Sequence, residues 1–158
     1  MGIASSQKSI ISKKTTILFV TLVATGIVMR IFSPPQKLDA RIFYSFAEAV
    51  NYLMTLTELQ KREYLFSEFF DFWFMTNYTW INFLAAKKVR VKSQLLWVAF
   101  VPGVLDLFET ILIVYFLHFR QFTFWHDLLP VLSSLKWLSA IGLIIFLVQK
   151  AFGRRAIH

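Results

Sequence analysis

The sequence predicts an all-α fold, a four-helix transmembrane bundle with a short amphipathic helix in the outer loop between helices 1 and 2. Three observations point there. Apolar residues make up 57% of the 158 positions and charged residues only 16%, against roughly a quarter charged in soluble domains. The apolar residues fall in four long blocks, each near the ~20 residues an α-helix needs to cross ~30 Å of hydrocarbon. Basic residues without acidic neighbours crowd the ends of these blocks on one side. The length accommodates a single integral membrane domain spanning 1–158.

The first block runs over about 15–33 and is closed by Pro34-Pro35. It follows Lys8, Lys13 and Lys14, as a signal peptide would, but Arg30 interrupts its end and no small-x-small cleavage site follows, so a retained helix is expected. The polar stretch 34–63 comes next. Ser45 stands three residues before Glu48, the spacing of a capping box, and Phe46, Val50 and Leu53 then recur at helical spacing. This predicts a surface-lying helix over about 45–56. Thr57 and Gln60 repeat the capping pattern, which starts the next helix near Glu58. Its spanning part covers about 60–86, and the third and fourth spans cover about 94–119 and 128–150. Asp127 occupies the N-cap position of the last, with Pro130 in its first turn, where a missing N–H costs little.

Orientation follows from the basic residues at the helix ends. Lys8, Lys13, Lys14, Lys87, Lys88, Arg90, Lys92, Lys150, Arg154 and Arg155 share one side with no acidic residue among them. The other side mixes Lys37, Arg41, Lys61, Arg62 and Arg120 with Asp39, Glu48, Glu58, Glu63 and Asp127. Both termini are therefore expected in the cytoplasm, and a bacterial inner membrane is the expected location. The net charge of +8 has a membrane explanation, and no nucleic-acid partner is expected. The absence of cysteine removes disulfides and thiol chemistry.

Six ionisable residues interrupt the apolar blocks: Arg30, Glu68, Asp71, Asp106, Glu109 and Lys136. A charge at the centre of a spanning helix costs roughly 2.5–3.5 kcal/mol, so unpaired burial of the last four would cost on the order of 10 kcal/mol. Counting 1.5 Å per residue from the outer helix ends places Asp71 roughly 10 Å deep, Lys136 about 12 Å and Glu109 about 15 Å. Asp106 and Glu109 share a helix face, and Tyr64, Glu68, Asp71, Met75, Tyr78 and Asn82 form a stripe at spacings of three and four. The expectation is a polar seam inside the bundle centred on Asp71, Asp106, Glu109 and Lys136, joined by Tyr78 and Asn77, with Arg30 reaching Glu68. Pro102-Gly103, one turn before Asp106, is read as a bend in the third span or an ordinary transmembrane proline.

These features resemble a group of small, mainly bacterial four-span integral membrane proteins of unknown function. The residues that carry the resemblance are Tyr64, Asp71, Pro102, an Asp-x-x-Glu at Asp106 and Glu109, then Ser133, Ser134 and Lys136. Thr110 departs from the pattern, which has Asn there. The resemblance implies the four-span architecture and supplies no activity.

Three functions remain open. The seam forms a binding pocket for a lipid-like small molecule (ligand residues Asp71, Asp106, Glu109, Lys136, Tyr78 and Asn77), or Asp106 and Glu109 act as catalytic acid and base, or the charges are structural in a subunit of a homo-oligomer or of a partner protein. Membrane lipid is the expected surrounding. No cofactor is expected, and no metal, since no ligand spacing relates His118, His126 and Asp127.

Overall fold

The computed structural model describes residues 3–34, 37–119, 121 and 124–153, with side chains described from Thr16 onward. Among them there are five α-helices and no strand. The first, α1 (Ile3–Phe32), begins earlier than its apolar block, because neither proline nor glycine interrupts the chain between Gly2 and Gly26. It ends just before Pro34, as the restricted residue preceding a proline requires.

The outer amphipathic helix, α2 (Phe46–Thr55), and the long α3 (Glu58–Lys88) both start at complete capping boxes, Ser45 with Glu48 and Thr57 with Gln60. Of the three residues whose spacing marked α2 as amphipathic, Leu53 turns inward, joined by Ala49 one turn before it. Ala49 and Leu53, one turn apart, are fully buried, whereas Phe46 is exposed and Val50 half-buried. At its C-terminus α3 closes in a Schellman motif: Arg90 N–H donates to Lys87 O and Val91 N–H to Ala86 O, with Arg90 at φ 50°. Val91 and Ala86 pack together beneath it.

The third predicted span is built in two parts. Ser93–Phe100 is a 3₁₀ helix, and α4 (Val101–Phe119) continues from it. Pro102 sits at this junction, in the first turn of α4, so it interrupts no regular helix. A 3₁₀ stretch, Phe124–Leu128, then leads into α5 (Leu129–Gly153). Arg120, Arg154 and Arg155, counted above for orientation, lie outside the described residues.

Two of these helical stretches are long and apolar enough to cross a membrane: Ser93–Phe119, with mean hydropathy 1.9, and Trp125–Phe152, with 2.1. Thr16–Phe32 is apolar but shorter. The long α3 is not one of the two: besides Glu68 and Asp71 it carries Asn77, Asn82 and several Tyr, Trp and Thr residues. Its large aromatics Phe66, Phe69, Phe72 and Trp73 are exposed.

The packing order is α1 on α3, α3 on α4 and α4 on α5. Two apolar clusters close the ends. One gathers Leu38, Tyr44, Leu53, Tyr64, Phe116 and Leu129 under α2 and the loop before it. The other joins Ala86, Val91, Ala99 and Leu143. Midway, α3 and α4 cross closely: a Cβ on Gly103 would overlap Thr79 Oγ1. This crossing fixes the register of Asp106, one turn along α4.

Candidate functional site: a buried layer of paired charges

Seven ionisable side chains are buried together: Lys37, Asp39, Glu68, Asp71, Asp106, Glu109 and Lys136. They form two groups of different completeness. In the first, the α5 ammonium of Lys136 lies 2.9 Å from Asp106 Oδ1 and 2.6 Å from Glu109 Oε2. It also donates at 2.9 Å to the backbone carbonyl of Asp39. The ammonium thus makes two hydrogen bonds, to Asp106 Oδ1 and Asp39 O, and an ion pair with Glu109 Oε2. The remaining carboxylate oxygens are filled by tyrosines: Tyr78 donates to Asp106 Oδ2 at 2.9 Å and Tyr44 to Glu109 Oε1 at 2.8 Å. Burial, and after it the neighbouring Glu109 charge, push the Tyr44 phenol upward, so it remains an O–H donor.

The second group is built on the loop before α2. Lys37 Nζ lies 2.9 Å from Asp39 Oδ2 and 2.7 Å from Glu68 Oε1, and 5.2 Å from the Tyr64 ring centroid. Burial by itself lowers the lysine, but Asp39, Glu68 and Asp71 outweigh it and hold Lys37 well above the ordinary value of 10.5. Tyr64 hydroxyl donates to Asp39 Oδ1 at 3.0 Å while accepting from Leu38 N–H at 3.2 Å. This group is not complete. Glu68 Oε2 is buried and accepts no hydrogen bond. Asp71 Oδ2 receives only a long 3.4 Å bond from Thr110 Oγ1. Asp39, Glu68 and Asp71 each bring a carboxylate oxygen within 4.8 Å of the others, a spacing that suits a cation. The Lys37 ammonium bridges two of the three.

A partly enclosed cavity of about 300 Å³ meets this second group. Its wall includes Gly26, Met29 and Arg30 of α1, Lys37 and Asp39 of the loop, and Phe74 of α3. A second, apolar groove of about 270 Å³ lies where α3 and α4 cross beside Gly103. Neither wall includes Asp106 or Glu109.

The sequence brought Asp71, Asp106, Glu109, Lys136 and Tyr78 into one seam, and the structure places them in one layer. Asn77 does not join it. Its amide donates to Trp73 O at 2.9 Å, and its oxygen is 3.3 Å from Thr21 Oγ1 on α1. The expected pairing of Arg30 with Glu68 is replaced by Lys37, and Arg30 stays exposed. Sequence reasoning missed Lys37, Asp39 and Tyr44, all assigned to a hydrated loop. The available signal was the acid surplus of the spans, which called for a second base. His126, read as an outer-loop residue, is buried with Nε2 3.1 Å from Leu112 O.

Tyr64, Asp71, Asp106, Glu109 and Lys136 all belong to this layer. Ser133 ties its edge to the loop by donating to Arg41 O at 2.9 Å. Comparison with protein-family models, with curated proteins and with solved structures returns no match to this chain.

Proposed function

We propose that this chain is a four-span integral membrane protein, both ends cytoplasmic in a bacterial inner membrane, that holds a lipid-like small molecule beside its buried charges. One observation carries this reading. Five buried carboxylates face two buried lysines, and a cavity with a largely apolar wall reaches Lys37 and Asp39, the loop members of the less completely paired group. A residual buried charge is costly unless something pairs it, and intramembrane ionisable groups beside a cavity are the usual mark of a ligand or substrate path. The distribution of apolar surface supports the membrane part. Phe69, Phe108, Val131, Leu138 and Ile144 are each about half exposed or more, while the charges lie inside.

The test is native mass spectrometry of the full chain in detergent. A retained amphiphile is expected, and Gly26→Leu, which fills the cavity from the α1 side, should expel it. A wild-type protein free of bound amphiphile sinks the reading. Topology is tested separately, because the chain has no cysteine of its own. Asn51→Cys should react with an impermeant maleimide on intact cells and Lys88→Cys only after lysis.

A second reading is favoured by the completed half. With all four oxygens of Asp106 and Glu109 engaged by Lys136, Tyr78 and Tyr44, this part suits a structural brace in a membrane subunit. The acid–base alternative for Asp106 and Glu109 would require one of these bonds to open.

A further inference from the structure

Between Asp71 and Asp106 the chain contains no acidic residue, yet Lys87, Lys88, Arg90 and Lys92 crowd the loop between α3 and α4. All four are exposed and have no acidic partner among the described residues. At 1.5 Å per residue Lys87 lies about 24 Å along α3 from Asp71, so the buried carboxylates do not offset this charge. Just inside the loop stands a ladder of aromatic rings. Trp80 and Phe83 have centroids 5.4 Å apart, Phe83 and Phe100 5.3 Å, and Phe100 and Trp97 5.8 Å. The Lys87 ammonium sits 4.7 Å from the Phe83 centroid. Trp97 is exposed, and such rings favour the level where hydrocarbon gives way to head groups. Trp80 and Phe100 are also walls of the groove of about 270 Å³ where α3 and α4 cross. From them the groove runs past Thr76 and Val104 to Phe72 and Leu107, about 12 Å along α3. No charged side chain stands in its wall among the described residues, and the Thr76 hydroxyl is spent on Phe72 O at 2.8 Å. Basic loop, aromatic ladder and apolar groove follow one another along the same two helices.

We infer that this end binds a phospholipid of net negative charge, its phosphate on Lys87, Lys88, Arg90 and Lys92 and one acyl chain in the groove. The inference rests on the membrane part of the reading above and not on the cavity at Lys37. Ammonium and guanidinium groups donate charge-assisted bonds to phosphate oxygens. Basic residues beside a cleft between spanning helices, on the cytoplasmic side, are the usual seat of anionic head groups. A zwitterionic head carries its own cation, which four unpaired basic side chains repel. A soluble phosphate compound or an acidic peptide would match the loop and leave the groove open. A second copy in the same orientation would cover the groove but set its own basic loop against this one.

The experiment adds dioleoyl phosphatidylglycerol and dioleoyl phosphatidylcholine in equal amounts to the detergent-purified full chain and counts adducts by native mass spectrometry. The phosphatidylglycerol adduct should dominate, and each neutralised basic residue should lower it about fivefold. Arg90→Gly removes one charge at a position whose left-handed backbone glycine adopts freely, so lipid lost there is not lost through folding. Lys87→Gln with Lys88→Gln should lower the adduct further. Val104→Trp, at an exposed position in the groove wall, should lower it with the loop intact. Gly26→Leu should leave this adduct in place, which separates it from an amphiphile held in the Lys37 cavity. Equal adducts of the two lipids, or indifference to Arg90→Gly or to Val104→Trp, overturns the assignment and leaves the cavity reading standing. A native dimer that Val104→Trp abolishes gives the groove to a second copy and overturns it too. A wild type that retains no lipid of either kind sinks this inference and the membrane reading together.

Discussion

Lys136 and Lys37 are two buried lysines, each between two carboxylates, yet their surroundings differ. Around Lys136 every oxygen of Asp106 and Glu109 lies in a hydrogen bond or an ion pair, Glu109 Oε2 meeting the ammonium as an ion pair without hydrogen-bond geometry. Around Lys37 a Glu68 oxygen is left without a donor and a cavity reaches the lysine itself. The difference lies in what supplies the partners. Around Lys136 the helices α3, α4 and α5 supply the side chains and the loop before α2 adds Tyr44 and the Asp39 carbonyl, whereas Lys37 and Asp39 of the second set both stand on that loop. Completed networks hold a fold in one arrangement, and incomplete ones leave interaction energy available for something else. The comparison therefore separates a bracing half from a receptive half within one layer of charge.

The largest effect that would sharpen this contrast is the loss of Lys136. Lys136→Met should destabilise the protein by about 3–5 kcal/mol, the cost of leaving two buried carboxylates without their cation. Denaturant unfolding in detergent measures it, and a loss under about 1 kcal/mol would erase the distinction. Lys37→Met should cost less, on the order of 1–3 kcal/mol, because the cavity lets water reach the stranded acids. Equal losses would break the comparison outright. The exchange Glu109→Lys with Lys136→Glu should recover part of what each single change loses, by double-mutant cycle.

Next in size is the crossing that holds Asp106 in place. Gly103→Leu should wedge α4 from α3 and cost about 1–3 kcal/mol, read in the same unfolding assay. Gly103→Ala should be milder and should be relieved by Thr79→Ala, since the clash is with that side chain. At the far end of α3, Arg90→Gly should raise stability by up to about 1 kcal/mol, because glycine adopts the left-handed conformation without the Cβ penalty.

The smallest effect concerns pH at the start of α2. Bonds from the Ser45 backbone N–H and then its hydroxyl hold the Glu48 carboxyl below its ordinary value of 4.5. A carboxylate lowered on folding stabilises above its unfolded pKa and loses that contribution as pH falls through the folded one. The melting-temperature difference between wild type and Glu48→Gln should thus be present at neutral pH and shrink as pH falls below the ordinary value of 4.5. A difference that widens with acid would contradict the capping geometry.

Both capping boxes and the inward stripe of α3 were legible because they are local patterns with fixed spacing. The Asp106–Glu109–Lys136 group was legible for a different reason: charges inside apolar blocks stand out, and their depths along the helices agree. Lys37, Asp39 and Tyr44 were not legible, since a loop has no periodicity and its fold depends on partners 25 to 97 residues away in sequence. Asn77 was placed by depth alone, and depth does not specify which way a side chain points. On α2 Leu53 was legible from its spacing, whereas Ala49, buried one turn before it, carries too small a side chain to stand out in a periodic pattern. The 3₁₀ start of the third span has no signature apart from Pro102 at its end.

Asp39 bonds with its carboxylate to Lys37 and Tyr64 and with its backbone oxygen to Lys136. One residue near the beginning of the chain thus waits for one near the end. On the proposed topology, a ribosome would deliver α3 and α4 to the bilayer while their acids still lack Lys136. Biogenesis then has a defined closing step, the arrival of α5, and nascent chains stalled before it would present stranded charge to membrane chaperones and proteases.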